Sequence, residues 1–370
     1  MKKGSRLGSM KKSTKSSLTT YILALVLFLV PQTLMMTGSI SNLLKGLLVP
    51  MCAYVIMAIS LNLTVGILGE LSLGHAGFMC VGAFASAFFS VCIKDTITSV
   101  WVRLPLAIII GGVAAAIFGL IVGIPVLRLK GDYLAIVTLA FGEIIKNVVN
   151  VIYVGKDSKG FHFSTESAAA MNMDIDGKTI INGALGITGI PRDATFAVGF
   201  VLVIITLFVI LNLIHSRDGR AIMAIRDNRI AAESIGINVT KYKLIAFVVS
   251  AFFAGIAGVL YTHNLSSLTA TTDNFGYNMS IMILVYVVLG GIGNIKGSII
   301  ATIILILLPE ELRFLNDYRM LIYSIVLIVM MIFTSSPALE GFREKYSPKR
   351  LFKNKAKNKA PCYSEWVRWD

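Results

Sequence analysis

Residues 104–127 read LPLAIIIGGVAAAIFGLIVGIPVL, an uncharged run set between Arg103 and Arg128. As a helix it would rise about 36 Å at 1.5 Å per residue, enough to cross a hydrocarbon core of roughly 30 Å. Working outward, comparable apolar runs lie near 18–36, 43–65, 76–93, 133–153, 195–214, 244–262, 279–293, 297–309 and 320–334, ten in all. The ninth is short, so the eighth and ninth can also be read as one broken element. The whole chain of 370 residues is 56% hydrophobic and 15% charged, with a mean hydropathy of +0.78. Soluble domains sit nearer a quarter charged. These features predict an all-α polytopic membrane protein of about ten transmembrane helices, several broken by glycine. They exclude an ordinary soluble enzyme, a disordered chain and a disulfide-stapled scaffold.

The net charge of +14 is distributed in a way that reports topology. With the N-terminus inside, segments 1–17, 128–132, 215–243, 294–296 and 335–370 hold 24 Lys and Arg, against 8 in 94–103, 154–194, 263–278 and 310–319. Cytoplasmic loops carry such an excess, which predicts both termini inside. The basic excess also attracts anionic membrane lipid, and nucleic acid is not expected as a partner. The expected organisation is a basic cytoplasmic N-terminus (1–17), a transmembrane domain (18–335) and a basic cytoplasmic tail (336–370). Within that domain lie an extracytoplasmic loop at 154–194 and a cytoplasmic loop at 215–243. The lysines at 2, 3, 11, 12 and 15 and Arg6, followed by an apolar run, resemble a signal peptide; with no small-residue cleavage site after them, they predict an uncleaved first span. Cys52, Cys80, Cys92 and Cys362 and the four histidines are scattered, so neither a disulfide framework nor a metal site is expected.

Four stretches carry chemistry. In Gly219–Gly236, the spacing of Ala221, Ile222, Ile225, Ala232 and Ile235 predicts a helix whose polar faces hold Arg226, Asp227 and Arg229. Gly236 suits its C-terminal cap, and Ala231 and Ala232 permit close approach of another backbone. Such a helix between two spans is either a solvated connection or a piece that docks in a partner's groove. In Leu61–Phe78, Gly66, Gly69, Gly74 and Gly77 interrupt an apolar run together with Glu70, Ser72 and His75. Freed backbone at membrane depth must face protein or a water-lined path; close helix packing through small residues is the other reading. In Arg128–Lys146, Glu143 lies inside a span, where a charge is costly. Lys146, three residues on, is its expected partner; a role along a substrate path with Thr138 is the alternative. In Val288–Gly297, Gly290, Gly291 and Gly293 form a second break, as expected of an internally repeated transporter.

Ala231-Ala232-x-x-x-Gly236 resembles the cytoplasmic docking loop of ABC-transporter permeases, with Ile230 where the leading Glu usually stands and no later Ile-x-Leu-Pro. The surrounding Gly219-Arg220 through Gly236-Ile237-Asn238-Val239 is similar to the branched-chain amino-acid permease family. Leu71-Ser72-Leu73-Gly74-His75-Ala76-Gly77-Phe78, the 128–146 run, the second break and Gly183–Pro191 match the same family in order, over roughly residues 40–335. The 128–146 run points to its M-type subunit. The resemblance implies a cell-membrane importer of branched-chain or other hydrophobic amino acids, partnered by an H-type permease, two ATPase subunits and an extracytoplasmic binding protein. It implies a coupling helix of Gly219, Arg220, Arg226, Asp227, Asn228, Ala231, Ala232, Glu233 and Gly236. The glycine breaks imply a path along Gly69, Ser72, Gly74, His75, Thr138, Glu143, Gly290, Gly291 and Gly293.

No Gly-x-x-x-x-Gly-Lys-Ser/Thr loop occurs; Gly177-Lys178-Thr179 has Asn172 where the first glycine belongs. The chain is therefore expected to hold no cofactor and no ATPase site, with ATP used by partner subunits. The same architecture would serve urea, short amides or sugars. An ion-coupled transporter working alone would need buried carboxylates, for which Glu70 and Glu143 are the candidates. A membrane-embedded transferase would need clustered polar residues at one membrane face, and 154–194 offers none.

Overall fold

The computed structural model describes residues 6–36, 42–94, 96–129, 131–157, 160–171, 173, 177–313 and 318–335. Two compact units divide it, Met1–Leu307 and Leu308–Asp370. The first contains α1 (Arg6–Met36), α2 (Asn42–Asn62), α3 (His75–Ile93), α4 (Val100–Val126) and α5 (Asp132–Val151). After a small sheet come α6 (Phe196–His215), α7 (Arg217–Asp227), α8 (Arg229–Ser234) and α9 (Val239–Thr262). They are followed by the single turn α10 (Thr272–Phe275) and α11 (Tyr277–Gly290), and α12 (Ile295–Glu311) runs across the division at Leu307. The second unit holds α13 (Arg319–Ser335).

A helix occurs at each expected span, and six segments are long and apolar enough to cross a membrane: Leu44–Leu68, α3, α4, α5, α6 and α9. The apolar parts of α1 and α13, Thr19–Thr33 and Met320–Ile332, are shorter. The second glycine break limits α11 and α12 to 14 and 17 residues. Two boundaries differ from expectation. α1 begins at Arg6, inside the segment read as a basic N-terminal extension. Helical structure after α2 continues to Leu68 as a π-turn rather than stopping at 65. The 336–370 tail lies outside the described residues.

The expectation of an all-α chain needs correction in the 154–194 connection. There β1 (Tyr153–Lys156), β2 (Phe161–Ser164), β3 (Lys178–Asn182) and β4 (Ile187–Thr188) join β5 (Ser267–Leu268) in an antiparallel sheet ordered β2-β1-β3-β4-β5. β1 to β4 are short and each holds aromatic or β-branched residues, the types that fit a pleated surface. Gly186, at φ +70°, sits so close to the Leu268 carbonyl that no side chain fits where β4 meets β5. The Gly183–Pro191 stretch thus contributes β4 to the sheet.

Small residues bring the central helices together. A Cβ on Gly82 of α3 would strike the Gly255 backbone of α9, and one on Gly258 would strike the Met79 carbonyl. On α4, Gly112 and Gly119 leave room for Phe252 and Ala251, while Ile109, Ile117 and Ile121 face outward. Close packing through glycine is the usual interface of helices in lipid, where burial of apolar surface gives no driving force between them. At the sheet end, Arg103 Nε and Nη2 donate to the two carboxylate oxygens of Asp193 at 2.8 Å each, pinning the start of α4 to the segment before α6. The connection 216–238 lies at the other end of α6, opposite the sheet.

Candidate functional site at the first glycine break

After Asn62 the helix widens into a π-turn, Leu63–Leu68, closed by Gly69 at φ +81°, whose N–H bonds to the Thr64 carbonyl. Residues 69–74 are non-helical, and α3 starts at His75. Single π-turns inside helices mark functional positions more often than chance. Near its end the turn leaves the Gly66 carbonyl without a helical donor, and Arg226 Nη1 donates to it at 3.0 Å. A guanidinium on an orphan carbonyl at a helix C-terminus is favourable by both hydrogen bonding and dipole.

Asn62, fully buried, faces the second break. Its Oδ1 accepts from the Gly293 N–H and its Nδ2 donates to Ser298 Oγ, both at 2.8 Å. Gly66 lies between them; a Cβ there would overlap Asn62 Oδ1 and the Gly293 backbone. Gly291 and Gly293 turn the chain from α11 to α12 with φ of +93° and +79°. Gly290 packs against the backbone of Ser298, closing the hairpin.

The expected path residues fall into three groups, one of them the Gly290, Gly291 and Gly293 turn just described. Gly69, Ser72, Gly74, His75 and Thr138 gather where α3 begins. Thr138 Oγ1 accepts from the Leu73 N–H at 3.1 Å, and its backbone carbonyl leaves no space for a side chain at Gly74. His75 is buried with Nε2 2.8 Å from Ser60 Oγ. Ser60 Oγ also lies 2.9 Å from the Met57 carbonyl. The Ser72 and Thr64 hydroxyls are buried without a hydrogen-bond partner. Glu143 stands apart, at the start of α11 rather than its glycine end. It pairs with Lys146 at 2.5 Å and accepts from the Tyr277 N–H at 2.7 Å, capping α11 from a neighbouring helix. The expected ion pair is therefore present, with a capping role added to it.

The 216–238 connection is two helices, not the single one expected from spacing. Asn228, extended at φ −156°, breaks it and caps α8 by accepting from the Ala231 N–H at 3.0 Å. Gly236 does terminate α8, at φ +84°, with Ile237 N–H on the Ala232 carbonyl and Gly236 N–H on the Glu233 carbonyl. Gly219 is pressed against the Leu213 and Ile214 carbonyls, and Arg220 donates to the His215 carbonyl. Ile222 packs with Leu63, Ile67 and Leu68, so α7 rides on the π-turn. Ala232 packs inward with Ile225 and Val239. Ala231 and Glu233 face solvent, and Ile230 and Ile235 are each 76% exposed. An open cleft beside this connection is lined by Leu68, Gly69, Glu70, Ile225, Arg226 and Lys243.

The sequence reading missed Asn62, Ser298 and Lys243, the last of which pairs with Glu70. Asn62 was legible as an amide in an apolar run; the other two depend on contacts made far along the chain.

The model of the family described as "Branched-chain amino acid transport system / permease component" matches residues 43–334. The chain belongs to that family. Both glycine breaks and the α7–α8 connection fall within the matched residues of this permease-component family. The chain is 34% identical over 294 residues to the high-affinity branched-chain amino acid transport system permease protein LivM of Salmonella typhimurium, and equally to that of Escherichia coli. Each match takes in 75% of this chain but spans only 66% of the relative's length. A more distant relative is the ribose import permease protein RbsC of Escherichia coli, 26% identical over 84% of this chain and 91% of that protein. No solved structure matches the chain. Membership and the six long apolar helices make this a multi-pass membrane protein.

Proposed function

We propose that this chain is the M-type permease subunit of an ATP-binding-cassette importer in the bacterial cytoplasmic membrane, moving branched-chain or other hydrophobic amino acids. It works beside an H-type permease, two ATPase subunits that consume the ATP, and an extracytoplasmic binding protein. Ten spans, with both termini inside, put the α7–α8 connection in the cytoplasm and the five-stranded sheet outside.

One observation carries the reading. The α7–α8 connection presents two exposed isoleucines, Ile230 and Ile235, on a tip whose inner face is fixed to the broken α2 through Ile222 and Arg226. Exposed apolar residues on a rigidly mounted tip suit insertion into a partner's groove. Glu70 and Glu143 are both engaged by lysines, which disfavours an ion-coupled transporter relying on a free carboxylate. The similarity to LivM over that to RbsC favours amino acids over sugars.

The test is ATP-dependent uptake of radiolabelled leucine in membranes carrying the assembled importer. Ile230→Asp with Ile235→Asp should abolish uptake and loosen the ATPase subunits, with the chain still present in the membrane. Gly236→Pro should act alike, because it destroys the cap that shapes the tip. Ala232→Arg disrupts packing rather than the exposed surface, so it tests the fold of the connection. Normal uptake by well-inserted Ile230→Asp/Ile235→Asp would overturn the docking role.

A further inference from the structure

We propose that Asn62 is a positioning residue that latches the two glycine breaks together, and that Arg226 is the strut through which the docking connection acts on this latch. The strut half rests on the importer reading; the latch half does not.

Three observations meet at Gly66. Asn62 spends its acceptor on the Gly293 N–H and a donor on Ser298 Oγ, so one amide holds both the turn and the start of α12. These bonds join residues more than 230 positions apart, and Asn62 and Ser298 are both fully buried. Parting the breaks would leave the buried Asn62 amide without these partners, which is costly. Gly66 places its backbone against Gly293, so the breaks touch with no side chain between them. The Gly66 carbonyl accepts from Arg226.

Arg226 is fixed at its root by α7, whose Ile222 packs on the same π-turn, and its guanidinium also meets Asp227. A displacement of α7 therefore pulls on the turn by packing and by one charge-assisted hydrogen bond. The π-turn is a place where the helix can re-register by one residue, giving the break two arrangements. In one, Asn62 bridges Gly293 and Ser298. In the other, those bonds are released and the two breaks part.

Thr64 supplies a reporter. It is 1% exposed, lies in the π-turn, and its hydroxyl has no partner, so Thr64→Cys removes no hydrogen bond. The experiment is maleimide labelling of Thr64→Cys in membranes carrying the assembled complex, read as the increment over the parent chain. Without nucleotide, adding Asn62→Leu, similar in size but unable to bridge, should speed labelling at least about fivefold. Ser298→Ala should do so in part, and the pair should do no more than Asn62→Leu alone, as expected for one shared interaction. Equal labelling with and without Asn62→Leu, or effects that simply add, would overturn the latch. With Asn62 intact, ATP should speed labelling, and Arg226→Met should remove that response. An ATP response that survives Arg226→Met would overturn the strut. A parent complex with no ATP response at all would instead count against the importer reading, leaving the latch judged by the nucleotide-free result.

Discussion

The two glycine breaks look alike in sequence and differ in what they ask of glycine. At the first, Gly66 has an ordinary backbone but no space: a Cβ would overlap Asn62 and Gly293. At the second, Gly291 and Gly293 have space, with nothing nearer than 3.6 Å and 3.5 Å, but hold left-sided backbone at φ +93° and +79°. The π-turn of the first break is buried in the bundle and tied to the α7–α8 connection. The second is a hairpin tip beside the exposed Ile292. Glycine serves close approach in one and conformation in the other, so one break is built for contact and the other for reversal of the chain.

That contrast gives the largest expected effect. Gly66→Val should lower leucine uptake more than about 50-fold, as a side chain forced between packed backbones can cost several kcal/mol. Gly293→Ala adds strain of about 1–2 kcal/mol without a clash, and should keep uptake within about fivefold of the parent. Uptake per chain, normalised by quantitative immunoblot of the membranes, checks the order; the reverse order breaks the comparison.

Two ion pairs, one beside the first break and one at the start of α11, away from both breaks, sharpen it. Lys243→Met strands Glu70 beside the first break and should destabilise the protein by about 3–5 kcal/mol. Glu143→Gln should cost less, about 1–3 kcal/mol, because Glu143 is 23% exposed and glutamine still accepts from the Tyr277 N–H. Thermal melting of the detergent-purified protein reads both, and Glu70→Gln added to Lys243→Met should recover much of the loss. The smallest effect belongs to Asn228→Ala, which removes the α8 cap for about 1 kcal/mol. Faster amide exchange confined to 229–236 is the expected sign.

Much of this was legible in the residues. Apolar runs placed a helix at each span, because a spanning helix must satisfy its backbone internally and the pattern is correspondingly strong. The glycine clusters located both breaks, and Gly236 located its cap. The sheet was not legible: its strands are two to five residues long, too short for alternation to register, and β5 comes from some 80 residues away. The split at Asn228 was hidden because apolar spacing continues through it, although asparagine is itself a capping residue. Asn62 and Ser298 were hidden for a different reason. Their meaning is a contact across the whole chain, which no local pattern encodes.

The central claim is that this permease chain moves solute only with ATPase partners. The most direct measurement is affinity purification of the tagged full chain from its native membrane in mild detergent, followed by mass spectrometry of what accompanies it. The account predicts a second permease and two ATPase polypeptides, lost when Ile230→Asp and Ile235→Asp are introduced. Recovery of the chain alone, or only as copies of itself, would contradict it.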